Sequence, residues 1–185
     1  MHMKLGLSGL RALARDRRGV SAVEFAMIAP IMILLYYGLA EITMAMMAER
    51  RASHAASAIG DLVTQDTAVT PAEVDDIFKV ANQIVYPFPT ASLKMRVTSV
   101  KADASAVPKV VWSRGQGLTA LSVNATVTGL PANFLAAGES TVMTEVQYPY
   151  DTPLKQVIPR TLNFNEKTYL RPRRSTEVTC PSACV

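Results

Sequence analysis

Residues 20–65 read VSAVEFAMIAPIMILLYYGLAEITMAMMAERRASHAASAIGDLVTQ, and the fold depends on whether this run is one element or two. From Phe25 to Ala40 it carries no charge. Sixteen helical residues at a rise of 1.5 Å reach only ~24 Å, short of the ~30 Å hydrocarbon core of a bilayer. Past Glu41 the apolar pattern resumes as ITMAMMA. Counted from Phe25 to Ala48, the stretch has twenty-four residues and a helical length of ~36 Å. That is enough to span with some tilt, with Glu41 near the outer headgroup level and Tyr36 and Tyr37 a turn below. The pattern then changes instead of stopping. Ala52, Ala55, Ala56, Ile59, Leu62 and Val63 recur at spacings of three and four, with Arg50, Arg51, His54, Ser57 and Asp61 between them. A cleaved secretory signal has a shorter apolar region followed by a small-residue cleavage site, of which AMMAER is a poor version. The reading favoured is one retained helix from about Val20 to about Gln65. Its first half lies in lipid and its second half lays an alanine stripe on a packed domain.

The chain has 185 residues and a net charge of +4, and the excess is unevenly placed. Residues 1–19 hold Lys4, Arg11, Arg15, Arg17 and Arg18 against Asp16, so the head alone accounts for the net +4 and the rest balances. The basic character therefore belongs to a leader, not to a nucleic-acid surface. No aromatic–basic interleaving or helix-turn-helix pattern suggests that nucleic acid is a partner. Five basic residues before the span and only Arg50 and Arg51 just after it, offset by Glu49, place the N-terminus in the cytoplasm and the bulk outside. The organisation expected is a basic cytoplasmic leader (1–19), a transmembrane helix with an amphipathic extension (20–65), an α+β outer domain (66–170) and a basic, Cys-containing tail (171–185).

The outer domain opens on a strong helix start. Thr70 is an N-cap, Pro71 suits the first helical position and Glu73 completes a capping box. Val74, Ile77, Phe78, Ala81, Ile84 and Val85 follow as an apolar stripe, and the helix ends before Pro87. From Ser92 the period becomes two. Leu93, Met95 and Val97 alternate with Lys94, Arg96 and Thr98, and Val110–Ser113 is a short strand carrying Trp112. GQG at 115–117 is a turn. Leu121, Val123, Ala125 and Val127 alternate again, as do Val142, Thr144, Val146 and Tyr148. A further strand is expected around Leu162–Leu170, before the basic run RPRRS. One-sided alternation in successive strands predicts a small antiparallel sheet with one covered face. The cover is the Thr70 helix and the alanine stripe, giving an α+β domain on a long helical stalk.

Chemistry-bearing patterns are sparse. The only histidines are His2 in the head and His54 on the polar side of the long helix, and HExxH, Walker and Gly-x-Ser-x-Gly patterns are absent from the sequence. Asp75 and Asp76 adjoin at a helix start, where acids complement the dipole. Trp112, Tyr148 and Tyr150 read as sheet core and edge. Asn124–Ala125–Thr126 matches a glycosylation acceptor but falls in a predicted strand. The expectation is a protein that is not an enzyme and needs no cofactor or metal. Cys180 and Cys184, in CPSAC, lack the further ligands of a metal site. They form a small disulfide loop if this end meets an oxidising compartment and stay free thiols otherwise.

An acid at the entrance of a membrane helix, Glu24, calls for a functional explanation. Basic residues, Gly19, four small or apolar residues, Glu24, Phe25 and a long apolar helix resemble a type IV prepilin. More narrowly, RRGVSAVEFAMIAPIMILL is similar to the N-terminus of TadE-like proteins, pseudopilins of the Tad/Flp pilus system, which share the VEF variant and a proline at the place of Pro30. VVWSRG (Val110–Gly115) and GLPANFLAAGESTVMTEVQYPYDTPL (Gly129–Leu154) look like later parts of the same family. The resemblance implies a pilin-like subunit in the bacterial inner membrane, with its C-terminal domain in the periplasm. It implies cutting by a prepilin peptidase between Gly19 and Val20. The α-amine exposed on Val20 would then neutralise Glu24 within one chain or between neighbours, which lowers the cost of holding both near lipid. Pro30, mid-helix, removes a backbone donor and kinks or melts the helix locally. The partners implied are the prepilin peptidase, other pilin or pseudopilin subunits and Tad platform proteins. The alternative is a stable anchor that keeps its leader and acts as a periplasmic scaffold of the same machinery.

Overall fold

A computed structural model describes residues 19–131, 133–155, 157–181 and 184. The basic leader, with Arg17 and Arg18, lies outside the described residues save for Gly19. The chain forms α1 (Val20–Thr64), α2 (Pro71–Val85), β1 (Lys94–Ala102), β2 (Pro108–Gln116), β3 (Ser140–Tyr150) and β4 (Leu162–Leu170). All strand pairings are antiparallel, in the order β2-β1-β3-β4. The architecture is the α+β one expected: a long apolar helix whose distal half packs on a small antiparallel sheet.

The 45 residues of α1 are one helix that continues through Pro30. From Val20 to Tyr37 it is exposed nearly all round, with only Ala29 partly covered. From Gly38 onward one side is buried. Gly38, Glu41, Ala45, Ala48, Ala52, Ala55, Ile59 and Val63 mark that side at alternating spacings of three and four. Small residues on this stripe let the helix backbone lie close to the sheet. At Gly60 an added Cβ would come within 2.9 Å of Leu170 and 3.1 Å of Thr144 on the facing strands. The helix ends at Thr64, whose carbonyl accepts the Arg173 backbone N–H at 3.1 Å, and the Arg173 side chain pairs with Asp61.

α2 starts with the capping box read from the sequence. The Thr70 hydroxyl accepts the Glu73 N–H at 3.3 Å, and the Glu73 carboxylate accepts the Thr70 N–H at 2.7 Å. Val74, Phe78, Ala81 and Val85 are buried between α1 and the sheet. Asp75, beyond its place near the helix start, makes a two-pronged pair with Arg114 of β2 at 2.7 and 2.6 Å, and this guanidinium holds its carboxyl below the usual range. The helix side of the sheet contributes Met95, Val97, Trp112, Val142, Val146 and Tyr148 to the main core.

Two expectations need correction. Residues 121–128 alternate in the sequence but do not form a strand. Asn124 takes φ +63°, Ala125 turns back to bond Ser122, and Val123 is exposed. A left-handed residue breaks an extended run, and asparagine is among the few side chains that tolerate that conformation. The segment instead follows the outer edge of β2, where the Val110 N–H donates to the Ala125 carbonyl at 3.0 Å and the Asn124 and Val127 N–H groups donate to the Val110 and Pro108 carbonyls at 2.9 and 3.0 Å, and it reaches the face of the sheet opposite the helices. There Val127 and Leu135 join Val100, Ala102, Val110 and Met143 in a second, smaller core, so the far face is partly covered too. The tail expected from 171 is also packed. Val178 is fully buried; its carbonyl accepts the Trp112 Nε1–H at 2.8 Å and the Ser99 hydroxyl at 3.1 Å. Val69 and Thr179 bond across to tie this strap to the α1–α2 linker. Of the basic run, Arg171 pairs with Glu139 and Arg173 with Asp61, so part of it fastens the strap to the domain.

Candidate functional site

The residues singled out at the helix entrance lie together on the first three turns of α1. Gly19 is the residue before the helix, with φ −85° and ψ −10°. That backbone is ordinary for any amino acid, and a Cβ added at Gly19 would meet nothing within 4 Å among the described residues. Among the described residues, neither a turn nor a close contact explains the glycine. Val20 is the first helical residue. Glu24 stands one turn further on, exposed, beside an equally exposed Phe25. Pro30 lies inside the helix. The helix here is a bare apolar rod with a single acid near its start, so its surface is available to a bilayer or to other helices. One helix of the described chain, α1, is long and apolar enough to cross a membrane by length and composition.

A second constellation sits about nineteen residues along. Glu41 is fully buried. Its Oε2 accepts the backbone N–H groups of Val157 at 3.2 Å and Ile158 at 2.7 Å, from the loop between β3 and β4. The Val157 side chain lies 3.6 Å from where a Cβ of Gly38 would be, so it packs over the helix at this residue at ordinary contact distance. Above this collar Tyr148, Tyr150, Phe88 and Phe164 form an aromatic cluster with ring centroids 5.7–6.3 Å apart. Burial raises the Tyr150 hydroxyl pKa, and the Glu41 charge raises it further. Burial pushes Tyr148 up to about 12, and its hydroxyl donates to the Pro89 carbonyl at 2.9 Å. Sequence reasoning put Glu41 near the outer headgroup level. The structure adds that protein covers it, because a loop 116 residues away wraps the helix at this point. An acid interrupting an apolar run was the only local signal; the Val157 and Ile158 amides, being backbone groups, leave none.

Rise along the helix relates the two constellations. From Val20 to Tyr37 the bare rod is ~27 Å long, close to the ~30 Å of a hydrocarbon core. On its domain side the part exposed all round ends near Gly38, some ten residues before Ala48. Cys180 and Cys184, at the other extremity, are joined in a disulfide with Cα atoms 5.9 Å apart, and Cys184 is fully buried. Among the described residues, no group of three or more His, Cys, Asp or Glu is placed to hold a metal ion.

This geometry, a glycine at the foot of an exposed apolar helix with an acid five residues on, coincides with a family signature. Residues 19–60 match the TadE-like protein family. The match spans the bare rod, Glu41 and most of the alanine stripe, and stops short of α2 and the sheet. No curated protein and no solved structure matches the chain.

Proposed function

We propose that this protein is a minor pilin-like subunit, a pseudopilin, for assembly of a Tad/Flp-type pilus. It is inserted in the bacterial inner membrane with its N-terminus in the cytoplasm and its α+β domain in the periplasm. A prepilin peptidase cuts between Gly19 and Val20. The observation that carries the reading is the register at the helix foot: a glycine whose backbone is ordinary and whose Cβ would meet none of the described residues, then Glu24 exposed one turn into a bare helix, within the stretch that matches the family. Recognition by a peptidase accounts for the glycine. An ionised side chain within a span costs about 2.5–3.5 kcal/mol on insertion scales at the helix centre. A new α-amine on Val20, in the same subunit or a neighbouring one, offsets that cost and registers one helix against the next. Pro30 supplies a local kink or melt that lets helices adjust their packing. The role is structural, with the outer domain presenting a packing or adhesive surface to other pilin subunits and to Tad platform proteins.

Glu24→Ala tests the assembly role. The variant should insert and fold as the parent does while pilus production is lost. Normal piliation by Glu24→Ala would contradict it. Retention of the leader on the native chain would favour the alternative, an uncleaved periplasmic scaffold of the same machinery.

A further inference from the structure

We infer that the loop between β3 and β4 is a membrane-surface clamp that seats the outer domain on the anionic headgroups of the outer leaflet. This rests on the reading of α1 as a membrane span. The loop, residues 151–161, meets α1 at Gly38 and Glu41, where the bare rod has run ~27 Å from Val20, the depth at which hydrocarbon gives way to headgroups. Tyr36 and Tyr37 sit at the same level on the helix, as interfacial aromatics do. The loop itself has the composition of an interface element. Leu154 and Val157 are 38% and 44% exposed, and Lys155 and Arg160 are exposed beside them.

Two features argue that this surface is built for lipid and is not incidental. First, the exposed apolar side chains are continuous with the lipid-facing rod, because Val157 touches α1 at Gly38. Second, Lys155 and Arg160 set two cations on the exposed side of the loop. Asp151 lies 3.7 Å from Lys155 at the loop's start, a long and exposed pair that leaves the ammonium able to reach a phosphate. A basic residue near an anionic surface is drawn to it by the surface potential. The Glu41 carboxylate, by holding the Val157 and Ile158 amides, fixes the loop at this height on the helix.

The test uses the full chain in vesicles of phosphatidylcholine with or without phosphatidylglycerol. A nitroxide is attached at Leu154→Cys with the native disulfide left oxidised, and its collisions with oxygen and with a water-soluble nickel chelate are compared. Leu34→Cys, on the bare rod, and Val123→Cys, beside the end of the sheet remote from Tyr150, are the references. The expected result is a loss of nickel collisions and a gain of oxygen collisions at position 154 relative to 123. The change should be larger with phosphatidylglycerol, and the increment should be lost in Lys155→Gln/Arg160→Gln. A label at 154 as wet as the one at 123, with 34 in lipid, overturns the clamp and leaves the span standing. A label at 154 shielded from both reagents means that protein covers the loop, and overturns it as well. A wet label at 34 removes the span and the clamp together.

Discussion

Replacing Glu41 with alanine isolates the contact that fastens the loop between β3 and β4 to the helix. The substitution removes the carboxylate, and with its Oε2 the acceptor shared by the amides of Val157 and Ile158. Hydrogen bonds to a charged group contribute about 1.5–3 kcal/mol each, and a donor left unsatisfied costs a similar amount. The loss of these two bonds alone amounts to at most about 6 kcal/mol. The true cost is lower, because Val157 is half exposed and water can reach its amide once the loop loosens. Removing a buried carboxylate also recovers its desolvation. A local cost of about 2–4 kcal/mol remains, which lowers hydrogen-exchange protection at the two amides by roughly 30- to 1,000-fold. The rest of β3 and β4 should keep its protection, since the main core does not pass through this loop. The assay is amide exchange on the full chain in detergent or nanodiscs, read on the peptide that includes residues 157 and 158. Protection there within about threefold of the parent, below a difference of 1 kcal/mol, would mean that the carboxylate does not hold the loop. Glu41→Gln keeps an acceptor without the charge and should fall between the two.

Two further outcomes follow from the sheet and the strap. Glu145 is buried between Arg96, whose Nε donates at 2.7 Å, and Lys167 at 2.8 Å; burial works to raise its pKa, but these partners hold it below its usual 4.5. A group with a depressed folded pKa stabilises the fold above its unfolded value and loses that contribution as pH falls through the folded value. Glu145→Gln should therefore cost about 2–3 kcal/mol near neutrality, less than a fully buried pair because Lys167 is half exposed. The gap to the parent should close below about pH 4.5, followed by the fluorescence of the single tryptophan in urea titrations. Trp112→Phe deletes the donor to the Val178 carbonyl and should destabilise the domain by about 1–2 kcal/mol, with faster exchange of the Val69 and Thr179 amides that tie the strap down, measured by denaturation and amide exchange.

Much of this fold was legible because its signals are local. The 45-residue helix declared itself through apolar length passing into a small-residue stripe at spacings of three and four, and α2 through Thr70, Pro71 and Glu73 in sequence. The strand at Leu162–Leu170 lay where period two resumed after the prolines. The misread parts depend on conformation or on distant partners. Alternation at 121–128 met the requirement for a strand, but the left-handed Asn124 turned the chain back along the outer edge of β2 to the sheet's other face. Val178 gave no warning that its carbonyl would cap Trp112, 66 residues away. Glu41 was visible as an acid in an apolar run, yet its role came from backbone amides that no side-chain pattern encodes. At the helix foot the sequence supplied the glycine and the acid; the structure added that the glycine has an ordinary backbone and meets no close neighbour among the described residues.

The central claim is a cut at the helix foot, and the most direct measurement is the intact mass of the chain recovered from its native membranes or pili. The account predicts a polypeptide beginning at Val20, lighter than the full sequence by residues 1–19, with Glu24 as its fifth residue. A mass that includes Met1 and the arginine-rich head would contradict it.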